Sequence, residues 1–274
     1  MQPDEFQDIL YENDVNGILT VTINRPERKN ALSPRTLLEL WYAVDNAEKD
    51  EKIKIMILTG AKKANAFCSG GYFTQDFHKE IPKEYINEID LKDMASKKLC
   101  LKFWGFEKPV ITAINGLAVG GGFTLPLVCS DLVYISEDAW IGFYFIKRAV
   151  MPDFATSYLL PLLVGFQKAK ELFFFGERIT AREAFDMGLG INQVLPSEEL
   201  MDYTRQQAMR LIPPQGPSLA IKLMKKTMHS YFRDIIETQL DLENKGWRKT
   251  LKSKDFKRSI IALKEKKPTE FIGK

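Results

Sequence analysis

Between residues 17 and 135 the chain alternates short β-branched runs with stretches of helical periodicity, and from Pro196 onward the β runs stop. Residues 17–23 (GILTVTI) alternate and are rich in β-branched side chains, the pattern of a strand. Ser33-Pro34 then offers an N-cap with proline at the first helical position, and Leu37, Leu40, Trp41 and Val44 follow at helical spacing. Residues 54–59 (KIMILT) read as a buried strand ending at Gly60. A second round places a helix within 91–106 and a strand at 110–114, and a third places a helix from Gly120-Gly-Gly122 through Leu127 and a strand at 132–135. Strands alternating with helices build an α/β core from βα units. Thr180-Ala-Arg-Glu183 is a capping box and Gly188 a helix stop. Helices are predicted over 197–211, 218–228, 231–245 and 253–264, which divides the chain into an α/β core (1–195) and a helical C-terminal region (196–274). With no low-complexity linker between them, the two parts are expected to pack closely.

Composition removes several function classes. A net charge of +3 is too small to argue for nucleic acid. The three cysteines Cys68, Cys100 and Cys129 have no C-x-x-C spacing, against a disulfide framework or a zinc site and in favour of a reducing, cytoplasmic setting. No stretch of about 18 apolar residues is present to span a bilayer, and the acidic first thirteen residues are not a signal peptide. The C-terminal Phe271-Ile-Gly-Lys274 is not a peroxisomal address.

Two glycine runs are candidates for chemistry. Val119-Gly-Gly-Gly122 enters a helix after a strand and the Asn115-Gly116 turn, and Cys68-Ser-Gly-Gly71 follows a strand ending in Phe67. Free backbone N–H groups there would stabilise a developing negative charge, and two sources converging on one oxygen make an oxyanion hole. The alternative is that these are turn glycines that only let helices pack on strands. Neither run has the G-x-G-x-x-G spacing of a dinucleotide site or a Walker lysine. A Ser-His-Asp hydrolase would need a usable histidine, and only His78 and His229 exist, with no G-x-S-x-G elbow. Of the two histidines, His229 reads as a solvated surface residue in a Lys-rich helix, and His78 lies in the polar stretch after Gly71. No His/Cys/carboxylate cluster has metal-ligand spacing. Asp153 stands out because Trp140-Ile-Gly-Phe-Tyr-Phe145 precedes it and Phe154 follows. A carboxylate in apolar surroundings has a raised pKa and is a better base. Its alternative reading is the N-cap of the helix that begins near Phe154, and both can hold.

Assembled in order, these segments resemble the crotonase (enoyl-CoA hydratase/isomerase) superfamily. Asn24-Arg-Pro26 with Lys29-Asn-Ala-Leu32 resembles the opening whose alanine backbone helps bind the CoA adenine. Ala66-Phe-Cys-Ser-Gly-Gly71 resembles the first oxyanion segment, and residues 108–116 (KPVITAING) with Ala118-Val-Gly-Gly-Gly122 resemble the second. Residues 176–184 (GERITAREA) with Gly188-Leu189 fit the helix after the active site, so the likeness runs from about residue 10 to 270. The resemblance implies the crotonase (ClpP-like) fold: repeated ββα units forming two roughly perpendicular sheets, with C-terminal helices that build a homo-trimer or a hexamer. It implies an acyl-CoA substrate with CoA as part of that substrate and no separate cofactor or metal. It also implies an oxyanion hole from the N–H groups of Gly71 and Gly121. Substrate contacts are implied for Arg28, Ala31, Phe67, Ser69, Tyr72, Gly120 and Phe145.

The departures narrow the reaction. The two glutamates with which family hydratases add water align with Thr124 and Phe145, neither of which does general acid/base work. Asp153 falls where the Δ3,Δ2-enoyl-CoA isomerases keep a single glutamate base and where the 4-chlorobenzoyl-CoA dehalogenases keep a nucleophilic aspartate. The string Asp153-Phe-Ala-Thr-Ser-Tyr158 favours the dehalogenase branch, whereas that branch's histidine and tryptophan align with Lys97 and Phe145. A one-base isomerase with Asp153 shuttling the proton is the leading expectation. The alternatives are a dehalogenase-like enzyme with nucleophilic Asp153, a hydratase or other CoA lyase with an atypical site, and a non-catalytic CoA-binding homologue. Trp247, Phe256 and Lys264-Glu-Lys-Lys267 resemble the segment that crosses to a neighbouring subunit; the lysines read either as CoA-phosphate contacts or as a solvated face.

Overall fold

Runs of apolar residues too short to bury themselves alone are paired by the fold in a repeating way. A computed structural model of the chain describes residues 1–71, 81, 83–90 and 92–274. The opening elements are β1 (Ile9–Asn13), β2 (Ile18–Ile23) and α1 (Pro34–Lys49). Three ββα rounds follow: β3 (Ile55–Gly60), β4 (Ala66–Cys68) and α2 (Lys97–Gly105); β5 (Val110–Ile114), β6 (Leu117–Val119) and α3 (Gly121–Cys129); β7 (Leu132–Ser136), β8 (Trp140–Gly142) and α4 (Thr156–Phe175). In each round the longer first strand joins one sheet and the three-residue second strand joins the other. The larger sheet runs β1-β2-β3-β5-β7-β10 and the smaller β4-β6-β8-β9 among the described residues, where β9 is Arg178–Thr180 and β10 Gln193–Leu195.

The larger sheet is parallel apart from the β1–β2 pair. Every residue of β3 and of β5 is buried, as expected for parallel strands covered on both faces. One core joins the inner faces of the sheets to α1, α2, α3 and α4 through residues such as Leu40, Leu58, Phe67, Phe103 and Phe123. A second cluster covers the outer face, where Leu200, Ala208 and Ile212 meet Ile18, Ile55, Ile57 and Ile111. Leu200 and Ala208 belong to α6 (Leu200–Arg210), so the helical C-terminal region packs on the α/β core. The remaining α-helices among the described residues are α5 (Ala181–Asp186), α7 (Ser218–Ser230), α8 (Arg233–Thr250) and α9 (Lys254–Glu265).

Local signals act where the sequence places them. Ser33 Oγ accepts from Thr36 N–H at 3.0 Å to start α1. Thr180 and Glu183 bond reciprocally to start α5. His229, expected in solvent, instead stacks on Trp104 with centroids 4.2 Å apart, its Nδ1 2.9 Å from the Trp104 carbonyl oxygen, because α7 lies against α2. Trp247, expected to reach a neighbouring subunit, is 2% exposed within its own chain and donates its indole N–H to Pro152 O at 2.9 Å.

Candidate active site

The ββα repetition brings three turns together, each just after a short strand of the smaller sheet: residues 69–71 after β4, Gly120-Gly121 after β6, and the stretch to Asp153 after β8. The first two are held in register through their backbones. Leu32 N–H donates to Gly70 O at 2.8 Å and Leu32 bridges Gly71, which lays 69–71 beside the 29–32 segment. Ser69 adds N–H to Lys29 O at 3.0 Å and Oγ–H to Arg28 O at 3.2 Å. Gly70 has φ +88°, and a Cβ there would sit 2.4 Å from Val119 O and 3.5 Å from Gly121 N. Only glycine permits that approach between the two loops.

Each glycine of the 120–122 run does a different job. Gly120 is the N-cap of α3 with φ +52°, and a Cβ on it would lie 3.7 Å from the Phe145 ring. Gly121 is the first residue of α3, so its N–H has no intrahelical partner, and the helix dipole favours negative charge there. A Cβ on Gly121 would lie 3.2 Å from Asp153 Oδ2 and 3.5 Å from the Phe154 ring. Gly122 rests on β4: a Cβ on it would stand 2.1 Å from Cys68 O. At Gly71 the bridge uses the carbonyl of Gly70 rather than the Gly71 N–H, and Gly71 is exposed. The arrangement therefore presents the Gly121 N–H beside a carboxylate, with the Gly71 turn held against the same loop.

Asp153 is 8% exposed. Burial pushes its carboxyl up to about 8, opposed by the hydrogen bond from Thr124 and assisted by the field of Glu243. Thr124, fully buried on α3, donates its hydroxyl to Asp153 Oδ1 and has Gly120 O at 3.3 Å. Phe145 is 6% exposed, with its ring edge-on to Phe173 at 6.5 Å. The two positions aligned with hydratase glutamates thus hold a hydroxyl bonded to the carboxylate and an aromatic wall. Thr124→Val removes a donor that favours the ionised form. The Asp153 pKa is expected to rise by about one further unit, since a hydrogen bond to a charged group is worth about 1.5–3 kcal/mol. The acidic limb of a pH–rate profile measures this, and an unmoved limb contradicts it.

The expectation that Asp153 caps the following helix is corrected. The N-cap of α4 is Ala155 (φ +56°), and the Asp153 side chain turns instead toward α3. The capping acceptor is Glu243 of α8, which takes the N–H groups of Ala155 at 2.8 Å and Ser157 at 2.9 Å. Sequence reasoning did not single out Glu243, since a glutamate inside a polar helix ninety residues downstream carries no local signal. Lys97, aligned with the dehalogenase histidine, is engaged elsewhere: its ammonium meets Asp241 at 2.9 Å and Glu237 at 3.0 Å.

The remaining expected contacts surround the same turns. Phe67 is fully buried in β4. Arg28 ends a 3₁₀ turn, Pro26–Arg28, on the exposed side of the 29–32 segment. Ala31 is buried, its N–H given to Arg28 O at 3.1 Å and its carbonyl taken by Arg25 Nη1 at 3.0 Å. Tyr72 and His78 lie outside the described residues. Among the described residues, no group of three or more His, Cys, Asp or Glu could hold a metal.

Stacked ββα units that set two glycine turns side by side, one of them against a buried carboxylate, are the arrangement of a crotonase-type acyl-thioester enzyme, and comparison with known proteins gives the same class. The family model described as enoyl-CoA hydratase/isomerase matches residues 13–274, and the chain belongs to that family, within the crotonase superfamily. Among its relatives is a 1,2-epoxyphenylacetyl-CoA isomerase of Escherichia coli K12, 32% identical over 94% of this chain and 96% of that protein. Another is a short-chain-enoyl-CoA hydratase of Clostridium acetobutylicum, 30% identical over 97% of this chain and 98% of that one. The crystal structure of an enoyl-CoA hydratase/isomerase from Pseudoalteromonas atlantica T6c superposes with a TM-score of 0.83 at 28% identity, covering 97% of this chain and all of that one. The chain is therefore an enzyme of the enoyl-CoA hydratase/isomerase type acting on CoA thioesters.

Proposed function

We propose that the protein is a one-base enoyl-CoA isomerase. The carrying observation is that, among the described residues, one carboxylate, Asp153, lies buried against Gly121, while Thr124 and Phe145 occupy the places of the hydratase glutamates. In this reading the thioester oxygen sits between the N–H groups of Gly71 and Gly121. Asp153 removes a proton from C2 of a 3-enoyl-CoA, the N–H pair holds the dienolate oxygen, and Asp153 returns the same proton at C4. A double-bond shift conserves all atoms and requires only one shuttling group. Phe145 and Phe154 exclude water from the carboxylate, which keeps its proton affinity high and disfavours hydration.

The name of the Escherichia coli relative favours a second substrate, a ring-bearing acyl group, and the aromatic wall at Phe145 is compatible with one. The dehalogenase-like alternative is less well supported, because Lys97, aligned with that branch's histidine, is tied to α8 by Asp241 and Glu237. The exposed apolar side chains of α4 and α7, among them Leu162, Phe166, Phe175, Leu219 and Met224, suit a homo-trimer or hexamer. Three unpaired, buried cysteines suit the cytoplasm, and no helix among the described residues is long and apolar enough to cross a membrane.

The reading is tested by turnover of 3-enoyl-CoA, 2-enoyl-CoA and 4-halobenzoyl-CoA across pH. Isomerisation of the 3-enoyl thioester is expected, with kcat/KM rising about tenfold per pH unit below the Asp153 pKa of about 8 and levelling above it. The sign follows from the base acting only when ionised. Hydration of the 2-enoyl thioester without isomerisation, or a rate that falls through this range, refutes it.

A further inference from the structure

Glu243 is 1% exposed, inside α8, in the region expected to serve subunit assembly. Its carboxylate accepts the N–H groups of Ala155 and Ser157 and the Ser157 hydroxyl, and the Ser157 oxygen in turn receives Gln239 Nε2 at 2.8 Å. These are the free donors at the start of α4, a helix whose N-cap is an alanine with no side-chain acceptor of its own. Between Asp153 and that helix the backbone takes two consecutive left-handed residues, Phe154 (φ +54°) and Ala155 (φ +56°). Non-glycine residues in that region cost about 1–2 kcal/mol each and persist only where surrounding contacts enforce them.

The enforcing contacts come from one helix. On the near side of Asp153, Trp247 Nε1 holds Pro152 O at 2.9 Å; on the far side, Glu243 holds Ala155 and Ser157. Asn244, between them in sequence, takes Ala95 N–H at 2.9 Å, and Ala95 O receives Phe154 N–H at 3.2 Å.

On the reading of Asp153 as the base, we propose that Glu243 is a positioning residue: by capping α4 from α8 it fixes the left-handed turn that points Asp153 at Gly121 and Thr124. The groups facing Asp153 are the Thr124 hydroxyl from α3, the Cys68 thiol from β4, the Cys100 thiol from α2 and the Glu243 carboxylate from α8. Burial pushes Cys68 to about 12 and holds Cys100 well above the usual thiol range, so both stay neutral. Among the described residues, Glu243 is the charge whose field acts on Asp153, adding to the larger effect of burial; burial lifts Glu243 itself only to about 7, so it is mostly ionised where Asp153 titrates near 8.

The test is kcat and KM for a 3-enoyl-CoA across pH in wild type, Glu243→Gln, Ser157→Ala and Asp153→Asn. Glu243→Gln keeps the shape and loses the charge and one acceptor. Its plateau kcat is expected to fall about tenfold with KM within about twofold. Its acidic limb is expected to move down by roughly half a pH unit, because a nearby negative charge has been removed. A merely structural role would not move the limb. Ser157→Ala, a milder change at a half-buried residue, is expected to lower plateau kcat about threefold at unchanged KM, and it decides alone if Glu243→Gln does not fold. Wild-type kcat and pH profile in the folded variants, with Asp153→Asn inactive, overturn this inference while sparing the base. An active Asp153→Asn removes the base reading and this inference with it.

Discussion

Asp153→Asn is expected to lower turnover of a 3-enoyl-CoA by about 10²–10⁴-fold, the range attached to losing a general base, with KM nearly unchanged. Asparagine fills the same space and still accepts from Thr124, but its amide cannot take the C2 proton. The protein should not lose stability. Burial raises the carboxyl to about 8, so its ionised form is disfavoured in the folded state, and a neutral isostere removes that penalty. A melting temperature equal to or above wild type, together with dead chemistry, separates a catalytic loss from a folding loss. The same variant distinguishes base from nucleophile. A proton-shuttling Asp153 leaves no covalent trace, whereas a nucleophile forms an ester with the substrate carbon that intact-mass measurement of wild type detects. Full isomerase activity in Asp153→Asn would move the chemistry to another residue.

The elements long enough to show a period were legible in the chain, and those set by distant partners were not. β2, β3, β5 and β7 have five or six residues each with a β-branched signature, and α1 and α5 carry capping residues that act as the pattern suggests. β4, β6 and β8 have three residues each, fewer than any periodicity requires, and form because the preceding longer strand delivers them to the second sheet. Asp153 was visible through its apolar neighbours, because burial of a carboxylate is a local property of composition. Its failure to cap α4 was not visible, because the competing acceptor, Glu243, arrives from ninety residues away. Trp247 was misjudged for a related reason: an aromatic in an amphipathic terminal helix has the same pattern whether it meets its own chain or another, and here it holds the Pro152 carbonyl.

Gly122→Ala is expected to destabilise the protein by about 3 kcal/mol, at the upper end of ordinary overpacking, and to lower the melting temperature by roughly 6–12 °C. The new methyl would stand 2.1 Å from Cys68 O and 2.8 Å from Cys68 C, both backbone atoms of β4, so no side chain can swing aside. α3 must lift from the smaller sheet, and Gly121 lifts with it. Gly105→Ala is the control. Gly105 ends α2, its Cβ would meet nothing nearer than Arg233 Nη1 at 3.5 Å, and alanine's helix propensity makes the change neutral or stabilising by up to about 1 kcal/mol. A Gly122→Ala protein that melts with wild type would mean that β4 and α3 do not touch as described. The prediction also divides the two readings of the glycine run between its members. Gly122 is a glycine because strand and helix backbones meet there. Gly121, whose Cβ would meet the Asp153 carboxylate at 3.2 Å, is a glycine that leaves the carboxylate room at the helix start, where the proposed thioester oxygen would also sit. Packing and chemistry thus make separate demands on adjacent residues of one turn, which is why neither reading of the run alone accounts for all three glycines.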